Sequence, residues 1–89
     1  MDEIQESLIN YPCNFPIKVM CPVQDGLIDA ICAVVSAHDP QFQPDSITTR
    51  PSAKGNYLGI TVTVYATSRE QLDNIYRALS GHPMVKMVL

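Results

Sequence analysis

The chain has 89 residues, 46% of them apolar and 17% charged, with a formal net charge of −3 at pH 7. Folding buries roughly 60–65% of the surface of so short a chain, enough for one small core and no second domain. The acidic balance excludes a binder held to nucleic acid mainly by charge, and no apolar run approaches the ~20 residues that span a bilayer.

Residues 2–8 suit one or two helical turns, ended by Asn10-Tyr11-Pro12, so residues 1–13 read as an N-terminal extension with a short helix. The opening Met1-Asp2-Glu3 lacks the basic start of a secretory signal, and a cytoplasmic protein is expected. Residues 15–21 then alternate, with Phe15, Ile17, Val19 and Cys21 on one face and Lys18 on the other; Pro22 closes this strand.

From Asp25 the period becomes helical, with Leu27, Ile28, Ile31, Cys32, Val34, Val35 and His38 at spacings of three and four. Asp25 and Asp29 fall in the first turns, where carboxylates offset unpaired amides. Asp39-Pro40 ends the helix, because the residue before proline is driven out of the α region. A loop with Phe42 and Pro44 leads to residues 46–51, which alternate Ile47, Thr49 and Pro51 against Thr48 and Arg50.

Ser52-Ala53-Lys54-Gly55-Asn56 supplies hairpin chemistry, Gly55 and Asn56 both tolerating positive φ. Residues 57–66 give the clearest period-two pattern: Leu58, Ile60, Val62, Val64 and Ala66 against Tyr57, Gly59, Thr61, Thr63 and Tyr65. Ser68-Arg69-Glu70-Gln71 has the form of a capping box. A seam of Leu72, Ile75, Tyr76 and Leu79 follows, with Arg69, Asp73 and Arg77 on the wet face and Gly81 as the stop. Residues 83–89 read as a last strand, with Val85, Met87 and Leu89 inward and Lys86 outward.

Strand, helix, strand, strand, helix, strand is the order of an α+β ferredoxin-like βαββαβ sandwich. Its four-stranded antiparallel sheet has the order 4-1-3-2. Two helices cover one face of such a sheet and leave the other open, which is where a function is to be sought.

All nine acidic residues lie in the N-terminal segment, the helices or the loop before the second strand, whereas the strands and hairpin carry Lys18, Arg50, Lys54 and Lys86. By the assigned faces, Lys18, Arg50 and Lys86 project from the open side, with Lys54 and Tyr57 at its hairpin rim. An acidic protein thus offers a locally basic surface for an anion or an acidic partner. The competing explanation is that Asp and Glu are simply rare in strands and that edge lysines discourage aggregation.

Little points to catalysis. Cys13, Cys21 and Cys32 are odd in number and lack C-x-x-C spacing, which suits neither a disulfide framework nor a zinc site. Cys21 and Cys32 read as small core residues, leaving Cys13, in a Pro-rich turn, as the reactive one. His38 and His82 end helices, where each reads as a dipole partner. The hairpin lacks the G-x-x-x-x-G-K-[ST] frame of a phosphate loop. An RNA-recognition reading, the remote alternative, has this topology but needs stacking rings where Gly59, Thr61 and Thr63 stand. No enzyme, cofactor or metal is expected. Asp25-Gly26-Leu27, at the start of the first helix, is a candidate ligand-binding turn, since free amides there favour an anionic group; an ordinary strand-to-helix connection has the same form.

Lys18-Val19-Met20, the run from Arg50 through Pro51-Ser52-Ala53-Lys54-Gly55-Asn56 to Tyr57, Val64-Tyr65-Ala66-Thr67 with Gln71, and the closing Val85-Lys86-Met87-Val88-Leu89 together resemble the YbeD-like family of small uncharacterised bacterial proteins. The resemblance covers nearly the whole chain. It implies residues 1–89 as one cytosolic domain close to the ACT modules, which bind amino acids and regulate metabolic enzymes. Genes of that family often neighbour lipoate-synthesis genes, a link to lipoate metabolism. ACT modules place their ligand at a subunit interface beside an Asp-x-x-Gly-Leu-type turn, and Asp25-Gly26-Leu27 resembles it with a shorter spacing. The expected function is a non-enzymatic, ACT-like regulatory module for a small metabolite or a protein partner, and the same comparison implies a homodimer. The alternative is a protein–protein adaptor that uses the basic open face.

Overall fold

The computed structural model describes residues 10–89, so the helical turns expected over residues 2–8 lie outside the described part. The elements are β1 (Cys13–Pro22), α1 (Leu27–His38), a 3-10 turn (Pro44–Ser46), β2 (Thr48–Pro51), β3 (Tyr57–Ala66), α2 (Arg69–Ser80) and β4 (Met87–Val88). The sheet runs β2-β3-β1-β4, which is the expected 4-1-3-2 counted from the opposite edge. All three strand pairs are antiparallel.

The centre is a ten-residue ladder between β1 and β3, running from Cys13 opposite Ala66 to Pro22 opposite Tyr57. Its inward residues Ile17, Val19, Cys21, Ile60, Val62, Val64 and Ala66 are wholly buried. They form one cluster with Leu27, Ile31 and Val35 of α1 and Leu72, Ile75 and Leu79 of α2. Both helices therefore lie on the same side of the sheet. Burying each such aliphatic side chain contributes ~1.5–3 kcal/mol, so the ladder and the two helix stripes dominate stability. Edge strand β2, all four of whose residues are exposed, adds little.

Prolines inside strands fit because of where their missing N–H would point. The N–H groups of Lys86 and Leu89 donate to the carbonyls of Met20 and Lys18, each at 2.8 Å. Even-numbered β1 residues thus turn their backbone groups away from β3, and Pro16 interrupts nothing in the central ladder. On β2, the Ser52 N–H donates to the Tyr57 carbonyl at 2.9 Å. That alternation sends the missing donor of Pro51 to the outer edge.

A polar corner ties the end of β3 to both helices. Asp39, 1% exposed, accepts the Gln41 N–H at 3.0 Å through Oδ1 and the Tyr65 N–H at 2.8 Å through Oδ2. Gln71 Nε2 donates to the carbonyls of His38 and Tyr65, and its Oε1 accepts from the Thr67 N–H and hydroxyl. Tyr65 has lost its β2 neighbour at this point, since β2 pairs with β3 only as far as Thr61. The side chains of Asp39 and Gln71 take the place of the missing strand.

Several expectations change in detail. The strand expected over residues 46–51 begins at Thr48, because Ser46 N–H and hydroxyl both close onto the Gln43 carbonyl in the turn that Pro44 starts. The helix expected from Asp25 begins at Leu27, with Gly26 at the N-cap. Ser68 caps α2 through Gln71 N–H as expected, but Gln71 does not return the bond to Ser68; it reaches Thr67, one residue earlier. Gly55 alone takes positive φ in the hairpin, Asn56 does not. Gly81 ends α2 in ordinary right-handed backbone.

The last strand departs most. It shortens to Met87–Val88 because residues 82–85 form a turn, in which the Met84 N–H donates to His82 Nδ1 at 3.1 Å and the Val85 N–H to the His82 carbonyl. His82 is therefore a turn builder rather than a helix-dipole partner. Val85 and Val88 pack on the core, whereas Met87 and Leu89, expected inward, are 49% and 60% exposed. The register explains this: Val88 lies opposite buried Val19, and Met87 opposite outward Met20.

The corner and the caps can each be tested by substitution. Asp39→Ala removes two hydrogen bonds to a buried carboxylate and should lower unfolding free energy by about 2–4 kcal/mol in urea titration; an unchanged midpoint contradicts the role given to the corner. Gly26 has φ 75° and open space where a Cβ would stand, so Gly26→Ala should cost about 1–2 kcal/mol through backbone alone. Gly81→Ala, free of that constraint, should be neutral or stabilise by up to about 1 kcal/mol; thermal melts of the two variants compare them directly.

Candidate functional site on the open sheet face

Alternation sends Lys18 and Met20 of β1, Thr48 and Arg50 of β2, Gly59 and Thr61 of β3, and Met87 of β4 to the side without helices. Register arranges them in two rows across the strands. One is Met87, Met20, Gly59 and Arg50; the next is Lys18, Thr61 and Thr48, with Leu89 beside Lys18 through its backbone bond. A shallow concavity of about 560 Å³ lies over these rows, lined by Lys18, Met20, Thr48, Thr49, Arg50, Pro51, Ser52, Gly59, Thr61 and Leu89.

Gly59 makes the floor. It has no side chain in a row flanked by Met20 and Arg50, and a Cβ there would approach the Arg50 carbonyl to 3.3 Å. The lining supplies cations and hydroxyls beside methionine, leucine and proline carbon, and no carboxylate side chain. Among the described residues neither the Lys18 nor the Arg50 side chain has an ionic partner. Such a surface suits a partner that combines carboxylate or other anionic oxygen with apolar carbon.

Lys18 and Arg50 are thus brought to one concavity, but the rest of the expected surface is not. Lys54 is exposed in the hairpin loop, and Tyr57 is half-buried opposite Pro22, outside the concavity. Lys86 is exposed, lies just before β4 and is not among the residues that line the concavity. Conversely, Met20, Gly59, Thr61 and Leu89 join the site although sequence reasoning does not mark them as site residues. The one available signal is Gly59, since glycine inside a strand marks a close backbone approach.

The turn at Asp25, Gly26 and Leu27 borders a second hollow of about 310 Å³, with Val23, Gln24, Ile28, Asp29 and Leu58. No side chain caps the start of α1. Two carboxylates in the lining, Asp25 and Asp29, oppose the anion that free helix amides would otherwise attract.

The cysteines are structural in character. Burial pushes the Cys21 thiol up, against a smaller opposing effect of the Lys86 backbone; burial and then the Asp29 charge push the Cys32 thiol up. Both stay protonated at neutral pH. Cys13, expected in a turn, is instead the first residue of β1, half-buried and packed on the core. Among the described residues no group of three His, Cys, Asp or Glu side chains is placed to hold a metal ion. No described helix is long and apolar enough to cross a membrane.

Comparison with known proteins gives the relationship. A family model described as a protein of unknown function, DUF493, matches residues 6–89. A UPF0250 protein of Janthinobacterium sp. (strain Marseille) is 63% identical over 84 residues, covering 94% of this chain and 92% of its own. A UPF0250 protein of Paraburkholderia phytofirmans is 54% identical over 89 residues, covering 100% of both chains. The solution structure of protein HP0495 from H. pylori superposes with a TM-score of 0.75 at 16% identity, covering 91% of this chain and 85% of that one, a likeness of fold alone. The chain belongs to the DUF493 (UPF0250) family of small bacterial proteins, the YbeD-like family that its motifs resemble.

Proposed function

We propose that the protein is a non-enzymatic binding module whose working surface is the open sheet face, used to hold another molecule and pass a regulatory signal in trans. The observation that carries this reading is the concavity over Gly59, bordered by Lys18 and Arg50 and free of carboxylate side chains in a chain of net charge −3. A sheet face left uncovered by its own helices and furnished with cations is suited to recognition, and its hydroxyls from Thr48, Thr61 and Ser52 add hydrogen-bonding capacity.

A second reading follows the ACT-like resemblance: a homodimer that binds a small metabolite at the Asp25-Gly26-Leu27 turn. The hollow of about 310 Å³ there favours it, with Asp25 and Asp29 in its lining to meet the ammonium group of an amino acid. A place in lipoate metabolism is compatible with either surface.

Charge separates the two. In complexes recovered from the native cell, Lys18→Glu combined with Arg50→Glu should release the bound partner, and rising salt should weaken the wild-type complex. Asp25→Lys should leave that complex intact. Both variants alter surface charges outside the core and should shift the melting temperature by no more than a few degrees. Retention of the partner by the double variant contradicts the open-face reading; calorimetric binding of an amino acid that Asp25→Lys abolishes establishes the turn instead.

A further inference from the structure

Resting on the open-face reading, we infer that the occupant of this surface is an acidic amphipathic helix of a different protein, laid across the strands, and not a second copy of the chain. Three observations support it. The patch is open and extended: its lining includes Leu89, 60% exposed, and beside it Met87 of β4, 49% exposed, faces the same way. A pocket for a small molecule encloses most of its ligand, whereas this concavity is shallow and its lining spans β1, β2 and β3 with Leu89 beside them. Four strands span about 14 Å, the length of about nine or ten helical residues.

The charges fit the same occupant. Lys18 and Arg50 stand on strands separated by β3 and one row apart. Strand spacing and rise put their backbones about 12 Å apart on the diagonal. Two carboxylates seven residues apart on a helix are about 10.5 Å apart on one face, within reach of two long flexible side chains. Between them, residues at the third and fourth positions face the same way, and apolar side chains there meet Gly59, Thr61 and Met20. The absence of a side chain at Gly59 leaves room for one of them.

Self-association through this face fails on charge. A two-fold contact centred on this patch lays it on itself, which brings Lys18 and Arg50 of one molecule near those of the other with no carboxylate side chain in the lining to pair them. Like charges brought together at an interface oppose the contact. A partner of opposite sign is required.

The test uses the isotope-labelled protein and two synthetic helical peptides with Leu at the third and fourth positions after the first charge. One carries Glu at the two positions seven apart; the other carries Lys at both. The Glu peptide should move the amide signals of Lys18, Met20, Gly59 and Thr61, the Lys peptide should not, and Lys18→Glu with Arg50→Glu should weaken the Glu peptide about tenfold or more. The inference is overturned by equal effects of both peptides, by no movement at those amides up to about 1 mM peptide, or by movement at Gly26 and Leu27 instead. It is also overturned if the protein forms a dimer that Met20→Asp disperses. Salt-sensitive capture of a native partner with no response to the Glu peptide removes the helical occupant alone and leaves the open-face reading standing.

Discussion

Everything in the molecule hangs on the ten-residue register between β1 and β3. Because side chains alternate with a period of two, shifting one strand by a single residue would turn its whole apolar set to the other face. Ile17, Val19 and Cys21 on one strand and Ile60, Val62, Val64 and Ala66 on the other specify one setting. Every such one-residue slip exposes several aliphatic side chains at ~1.5–3 kcal/mol each. That choice decides which face the helices cover. It decides in the same step that Lys18, Met20, Gly59 and Thr61 are the residues left facing outward.

Hydrophobic alternation cannot by itself place the ends of the elements, and here a few polar side chains complete the assembly. Where β2 no longer accompanies β3, the Tyr65 N–H and carbonyl would lack partners, a cost comparable to lost hydrogen bonds in a half-buried setting. Asp39 supplies the acceptor and Gln71 the donor. Because Asp39 follows α1 and Gln71 opens α2, one corner fixes the end of one helix, the start of the next and the last turn of the strand between them. The same carboxylate is thereby withdrawn from the protein's surface charge, which leaves the exposed acids concentrated elsewhere.

The architecture is legible in the sequence where periodicity runs long. Residues 57–66 alternate without interruption and form β3 at those bounds, and Ser68 with Gln71 marks the start of α2 to the residue. The sheet order follows from the order of elements and the handedness of their connections. Short segments are a different matter. β4 contributes two paired residues, too few for alternation to outweigh the turn that His82 and Pro83 impose, so Met87 and Leu89 come out exposed and Val88 inward. Long-range polar contacts leave no local trace: Asp39-Pro40 reads as a helix stop, and nothing near it announces Tyr65, 26 residues away. The candidate site is half visible. Its cations stand in strands and can be placed by parity, whereas the concavity depends on Gly59 meeting Met20 and Arg50 from two other strands, a juxtaposition that only the fold creates.

Charge placement gives the open face its character. Asp25 and Asp29 flank the start of α1, Asp45 lies in the 3-10 turn, and Glu70 and Asp73 belong to α2, all on elements outside the sheet. Lys18 and Arg50 stand on the face those helices do not cover. The six acidic and six basic residues of the described part balance in number, and Lys18 and Arg50 form a local cationic pair on the open face. Net charge disfavours contact with general polyanions, and the field of the local cationic pair reaches distances comparable to the ~8–10 Å screening length. Edge protection alone does not require this pattern. A lysine that only discouraged strand pairing would serve at the outer edge of β2 or β4, yet Lys18 lies on β1, a strand paired on both sides. A cation in the interior of a sheet face, next to a glycine floor and without an ionic partner among the described residues, is not accounted for by edge protection.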